Sequence, residues 1–292
     1  MMRFIRNVFG IACIIFGIGI FAYPVVTTQY SAYQTEEYIR EYDDAWQSAD
    51  KQTKKKKKAL LQEAHTYNAS IYAEKQEGFC DAWSYTQQPF DLKGLKDGKF
   101  GYIKIPAMDV KLPLYIGASK ENLSKGAAVL GQTSLPVGGT NTNSVIAGHR
   151  GYQGIPYFRE IERLEVGDKV SITNPWETLT YRVESMAIID PYDNDAVKIQ
   201  DGKDMVTLVT CHPYRSHGKY RYIVYCVRDT GKEKLDDTTS PSIRTEDDIT
   251  FVSSGPDIKR EQFFRKVCAG ILFLLFIVTI IRHILYKRGH PH

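Results

Sequence analysis

The chain has 292 residues, is 43% hydrophobic and 25% charged, and carries a net charge of +4. This composition excludes disorder over most of its length and suits one sizeable domain with additions. So mild a charge, with no basic patch interleaved with aromatics, excludes nucleic acid as a partner; the run Lys54–Lys58 reads as a solvated helix face or as a weak attraction to an anionic surface.

Both ends are apolar. Val8–Val26 is free of charge and follows Arg3 and Arg6; Val267–Ile281 is likewise uncharged, and Ile284–Tyr286 extend it beyond Arg282. A helix of about 20 residues crosses a ~30 Å hydrocarbon core, and an arginine near the end of a span can snorkel to the interface. Residues 1–28 are therefore expected to form a signal-anchor or a signal peptide. Residues 263–286 are expected to form a second span, with 287–292 as a tail. The basic residues before the first span, and Lys287 and Arg288 after the second, place both termini in the cytoplasm and the middle of the chain outside the membrane. Lys259, Arg260, Arg265 and Lys266 argue the other way, but two spans must close on the same side. Of five cysteines, Cys13 and Cys268 lie in the apolar ends as small hydrophobes. The remaining three, Cys80, Cys211 and Cys226, are an odd number, so at least one has no intramolecular partner. Their spacing resembles no zinc site.

Between the spans, residues 29–76 read as a helical extension. Tyr38, Ile39, Tyr42 and Trp46, then Leu60, Leu61, Ala64, Tyr67 and Ile71, recur at helical spacing. Residues 77–98 hold glycine, Pro89, three aspartates and four aromatics with no period, which predicts a loop of the kind that serves as a lid or binding segment, or an ordinary linker. From residue 99 to 230 the pattern is β. Strands are predicted at Gly101–Ile105, Val110–Tyr115, Ser144–Gly148, Val170–Ile172, Leu179–Ile189 with a break near Ser185, Met205–Thr210 and Tyr222–Val227, with short helical pieces at Lys120–Ser124 and Tyr157–Leu164. Many short strands with Gly/Pro turns predict a mainly β, closed or nearly closed barrel, which removes exposed edges. Residues 231–262 read as a polar linker.

The chemistry concentrates in Thr207-Leu208-Val209-Thr210-Cys211-His212-Pro213-Tyr214 and in Arg221. Cys211 is delivered to a strand end, and Arg221 opens the next strand, so a hairpin would set a thiol opposite a guanidinium. A thiol nucleophile needs a proton shuttle and oxyanion stabilisation. His149 is the best shuttle, since it leaves an apolar strand just after Gly148; His65 reads as a surface residue, His212 points away from its neighbour on an extended chain, and His217 sits in the loop between the arms. Arg221 is preferred to Arg150, Arg215 and Arg228 as the charged donor because it starts the strand paired with that of the cysteine. Thr210 could assist the oxyanion through its hydroxyl or its backbone N–H. Cys226, in mid-strand, reads as structural.

Together Thr207–Cys211, Gly148-His149-Arg150-Gly151, Arg221 and Leu135-Pro136-Val137-Gly138-Gly139 resemble the sortases, the membrane-anchored cysteine transpeptidases of Gram-positive surfaces, over about residues 100–229. The second span and the long extension resemble the class C, pilus-assembling branch. The resemblance implies an eight-stranded sortase barrel with N-terminal helices and a transmembrane helix at each end, a Cys211–His149–Arg221 site and no cofactor. It implies cleavage of an LPXTG-like sorting signal on pilin precursors between Thr and Gly, and transfer to a pilin lysine amine. The family's lid carries an Asp and an aromatic; Asp81 and Trp83 are the nearest match, without the usual intervening proline, and Gln88-Pro89-Phe90 competes. Rival readings are a housekeeping sortase acting on peptidoglycan, a thiol hydrolase, and a non-enzymatic adhesion or scaffold module.

Overall fold

The computed structural model describes residues 2–47, 51–77, 79, 99–216, 218–231, 244–245 and 251–289. These residues form helices α1 (Met2–Gln47), α2 (Lys51–Ala73), α3 (Lys120–Lys125) and α4 (Gly255–Gly289). Strands are β1 (Lys99–Ile105), β2 (Val110–Ile116), β3 (Ala127–Val129), β4 (Thr142–Ala147), β5 (Lys169–Thr173), β6 (Thr178–Ile189), β7 (Asp204–His212), β8 (Tyr220–Arg228) and β9 (Arg244–Thr245). The chain divides into two units. One takes in Met1–Ser31, Gln153–Ile155 and Gly255–His292, the other Ala32–Tyr152 and Pro156–Ser254.

The second unit is the barrel. Its strands run β5-β1-β2-β3-β4-β7-β8-β6, and β5 pairs with β6 to close the ring. Closure satisfies both edges of every strand of the ring, as the short, evenly spaced strands predicted. β9 is a two-residue addition, parallel to β6 at Ala187 and Ile188. The break expected near Ser185 is a register shift between Val183 and Ser185 where β6 meets β8; one extra residue there bends the strand. Inside, Phe100, Ile103, Leu114, Ile146, Leu208 and Val224 are fully buried, and burying each such side chain contributes about 1.5–3 kcal/mol. A second apolar cluster, on the other face of the sheet, joins Val145, Ala187, Val209 and Ile223 to Phe79 and Leu130.

The helical extension fastens to this barrel through tyrosines. The Tyr38 hydroxyl donates to Gly101 O at 2.9 Å and that of Tyr42 to Phe100 O at 2.8 Å. Burial pushes both phenols well above their ordinary range. From α2, Asn68 accepts from Leu135 N–H at 2.8 Å and donates to Leu135 O at 3.0 Å, pinning the loop that opens Leu135-Pro136-Val137-Gly138-Gly139.

In the other unit, α4 is long and apolar enough to cross a membrane. It takes in the polar residues from Gly255 to Gln262 as well as the apolar run. α1 meets that criterion only if its arms Ala12–Ile20 and Ala22–Ala45, bent by 44°, count as one span. Pro24 lies just past the bend; a proline inside a helix lacks the N–H that bonds the carbonyl four residues earlier and crowds it with its ring, which kinks the helix. The N-terminal span expected from composition is thus less clear than the C-terminal one.

Candidate active site

Three strand ends assemble the site. In the β7–β8 ladder Cys211 stands directly opposite Arg221, and Val209 opposite Ile223. Side chains alternate along a strand, so Cys211 and Arg221 share the face of Val209 and Ile223, whereas Thr210 and His212 take the other. β7 runs on through His212, so the cysteine belongs to the strand and not to the turn after it. On its other side β7 pairs in parallel with β4, with Ala147 opposite Val209, and Gly148 N–H donates to Val209 O at 3.1 Å. His149 follows Gly148 in the loop that leaves β4. Of the three residues singled out in the sequence, Cys211 and Arg221 are thus paired across β7 and β8, and His149 leaves the end of the strand that adjoins β7.

Gly148 permits this exit through its lack of a side chain. A Cβ there would stand 2.7 Å from the Phe158 ring. Phe158 N–H donates to His149 O at 2.9 Å and closes the loop back on the histidine. The imidazole stacks on Tyr152, with ring centroids 4.7 Å apart, and meets the edge of Tyr157 at 6.1 Å. Tyr157 adopts a left-handed backbone with φ of 42°, unusual for an aromatic residue, while its hydroxyl donates to Ser124 O at 2.6 Å. Burial pushes the His149 pKa below its ordinary 6.5, because a charged ring loses solvation there. Burial also pushes the Tyr157 phenol up to about 12.

Cys211 is partly exposed, whereas Cys226 is fully buried and burial drives its thiol well above the ordinary range. A thiol so raised is not a nucleophile, so Cys211 is the available one of the pair; Cys80 lies outside the described residues. Arg221 Nη1 donates to Gly218 O at 2.7 Å and Tyr220 O at 3.2 Å. Gly218, at φ +83°, lies against both functional groups: a Cβ on it would stand 3.2 Å from Cys211 Sγ and 2.9 Å from Arg221 Nη1. The Thr210 hydroxyl, a candidate oxyanion donor from the sequence, instead gives its proton to Gly148 O at 2.7 Å and is buried. Asp81, Trp83 and the competing segment at 88–90, the candidate lid, lie outside the described residues, as does His217. Phe79 is packed with Val209 and Ile223 on the Cys211 face.

On the opposite face lies a cluster that sequence alone did not reveal. The Arg150 side chain is 3% exposed. It donates from Nε to Arg159 O at 3.2 Å, from Nη1 to Cys211 O at 3.3 Å and from Nη2 to Glu162 Oε1 at 2.5 Å. His212 Nδ1 lies 3.3 Å from Arg150 Nη1 and 3.5 Å from Glu162 Oε1. Burial alone would raise the Glu162 pKa. The hydrogen bond from His212, the charge and hydrogen bond of Arg150 and the Ser253 hydroxyl override it, and hold the carboxyl near about 2. The available signal was Arg150 itself, a charged residue in a glycine-flanked strand exit; its partner at Glu162 is twelve residues away and was read only as part of a short helix.

A family model described as the sortase domain matches residues 103–229. Among curated proteins, sortase D of Bacillus subtilis is 30% identical over 132 residues, which is 44% of this chain and 64% of that protein. Sortase A of Bacillus anthracis is 31% identical over 124 residues, 42% of this chain and 57% of that one. The chain thus spans less than two thirds of these curated relatives. Solved structures match further. Streptococcus pneumoniae sortase C is 33% identical with a TM-score of 0.56, covering 66% of this chain and 96% of that one. Clostridium perfringens sortase C, solved with a C-terminal cell wall sorting motif, is 32% identical with a TM-score of 0.57, covering 66% and 97%. A barrel closed in this order, matched by a family model from its first strand to the end of β8 and by sortase C structures over nearly their whole length, places the chain in the sortase family.

Proposed function

We propose that the chain is a cysteine transpeptidase of the pilus-assembling kind. Cys211 passes its thiol proton to the His149 imidazole and attacks the carbonyl carbon of Thr in an LPXTG-like sorting signal, and His149 gives that proton to the departing glycine amine as the Thr–Gly bond breaks. The product is a thioester between Cys211 and the threonyl carbonyl. A lysine amine of a second pilin then attacks that carbonyl, gives up a proton to His149, and displaces the Cys211 sulfur to leave an isopeptide bond. Arg221 supplies a permanent positive charge beside the sulfur for the developing oxyanion or the adjoining substrate carbonyl. Thr210, its hydroxyl engaged by Gly148, acts by holding the ends of β7 and β4 together.

The observation that carries this reading is the direct pairing of Cys211 with Arg221, with His149 in the loop that leaves the adjoining strand β4. The pilus assignment is favoured over peptidoglycan attachment by the sortase C neighbours and by the apolar helix α4. The test incubates the detergent-solubilised chain with an LPXTG-containing peptide and a lysine-bearing peptide, and weighs the products. Joining of the two is expected, together with its loss in Cys211→Ala. Free acid alone would mean a hydrolase, joining only to a peptidoglycan-type amine would mean a housekeeping enzyme, and undiminished cleavage by Cys211→Ala would end the catalytic reading.

A further inference from the structure

His149 and Arg150 are consecutive in the loop that leaves β4, and they part: the His149 ring packs on Tyr152 and Tyr157, whereas Arg150 turns to His212. There its guanidinium donates to the main-chain carbonyl of Cys211, at 3.3 Å. A single planar cation is therefore covalently continuous with one reacting residue and hydrogen-bonded to the backbone of the other. Its remaining contacts fix it from several directions. Nε reaches Arg159 O, Nη2 reaches Glu162 Oε1, and the guanidinium lies over the Tyr222 ring at 5.7 Å. Tyr222 is the cross-strand partner of Thr210, next to both Cys211 and Arg221.

The anchor of this cation is itself held. Glu162 Oε2 accepts from Ser253 Oγ and from Ser254 N–H, each at 2.9 Å. Ser254 Oγ accepts from Tyr214 N–H at 2.9 Å, and Phe251 stacks on His212 with ring centroids 6.0 Å apart. Residues 251–254, part of what reads in the sequence as linker, thus strap the Glu162–Arg150–His212 cluster onto the loop after Cys211. Burying a full ion pair costs several kcal/mol of solvation per ion and is a poor source of stability. Such a pair is more naturally explained by the geometry it enforces.

We propose that Arg150 is a positioning residue that sets the separation and orientation of Cys211 relative to His149, with Glu162 as its anchor. The inference rests on the transpeptidase reading above. Arg150 touches neither substrate nor the sulfur; it acts by holding the ends of β4 and β7 in one register. Lysine keeps the charge but has one ammonium in place of the planar fork, and cannot reach Arg159 O, Cys211 O and Glu162 Oε1 at once.

The experiment measures kcat and KM for cleavage of an LPXTG-containing peptide, and the rate of Cys211 alkylation by iodoacetamide from pH 5 to 9. It uses the full chain and its Arg150→Lys, Glu162→Gln and Cys211→Ala variants, each checked for folding by circular dichroism. In Arg150→Lys, kcat is expected to fall about 10- to 100-fold with KM within twofold, the loss typical of a misplaced reacting group. The alkylation pH profile should shift, since the thiol and imidazole no longer face each other as before. Should Arg150→Lys fail to fold, Glu162→Gln, which leaves the guanidinium present but loosens its anchor, must show the same loss in kcat and the same altered profile. A folded Arg150→Lys, or failing that Glu162→Gln, with wild-type kcat and profile overturns the proposal, as does a loss confined to thermal stability. Activity persisting in Cys211→Ala would instead overturn the transpeptidase reading beneath it, so the two failures are told apart.

Discussion

At the residue scale, the candidate site has two sides at the same strand ends. Cys211 and Arg221 share one face of the β7–β8 ladder, and Thr210 and His212, with Arg150 against the latter, take the other. His149 is the residue whose environment makes the clearest prediction. Burial lowers its pKa below 6.5, so the folded protein resists a proton that the unfolded chain accepts. Between neutral pH and the lowered pKa the unfolded state binds more protons, and stability must fall as pH falls. Wild-type protein is therefore expected to lose melting temperature between pH 7.5 and pH 5 to a greater extent than His149→Gln, which has no proton to take up. The comparison cancels the common titration of the other groups. Parallel losses in the two proteins would show that the imidazole is not held in the neutral form by its surroundings.

At the element scale, the hairpin was legible because its two arms are β-branched and aromatic runs, and its turn chemistry lies between them. The lengths were less so: β7 was expected to stop at Thr210 and β8 to start at Tyr222, yet they extend to His212 and from Tyr220. Cross-strand pairing between the two arms, Cys211 with Arg221 and His212 with Tyr220, overrode the local weakness of polar ends, a tertiary effect that propensity does not carry. β3, three residues long, and β9, two residues long, are too short to show a period. Nor could the Arg150–Glu162 pair be read, since it depends on how the loop after His149 folds back through the Phe158 N–H to His149 O bond. The helical spacing of Leu60, Leu61, Ala64, Tyr67 and Ile71 makes α2 legible as a helix, but the device that attaches it, Asn68 on both backbone groups of Leu135, has no periodic signature. Asn68 bonds both backbone groups of Leu135; Leu135 O also accepts from Val137 N–H at 2.8 Å, so Asn68→Ala takes the side-chain partner from a buried N–H while the C=O keeps a backbone one. A buried donor left unpaired costs about 1–3 kcal/mol. Urea unfolding of the variant is expected to show a destabilisation of that order with an unchanged denaturant slope. Stability within about 0.5 kcal/mol of wild type, the range usual for surface substitutions, would mean that α2 is held by other contacts.

At the scale of the whole molecule, the question is on which side of a membrane the barrel lies. α4 has the length and hydropathy of a membrane span and none of its apolar window is buried by protein. Its polar first turns hold Asp257, Lys259 and Arg260, and its far end holds Lys287 and Arg288. The positive residues flanking both ends conflict, and the ones at the far end, with Arg3 and Arg6 at the other terminus, favour both termini inside. A span whose N-terminal end faces outward then leaves the barrel, Cys211 included, on the outer side. The prediction is that an impermeant thiol reagent labels a Cys80→Ala chain in intact cells, and that adding Cys211→Ala removes most of that labelling because Cys226 is buried. An epitope added after His292 is expected to bind antibody only once the membrane is permeabilised. Antibody binding to that epitope in intact cells, together with Cys211 labelling only after permeabilisation, would reverse the orientation. Labelling of both in intact cells would mean that α4 does not cross the membrane at all, and that anchoring falls to the bent helix α1.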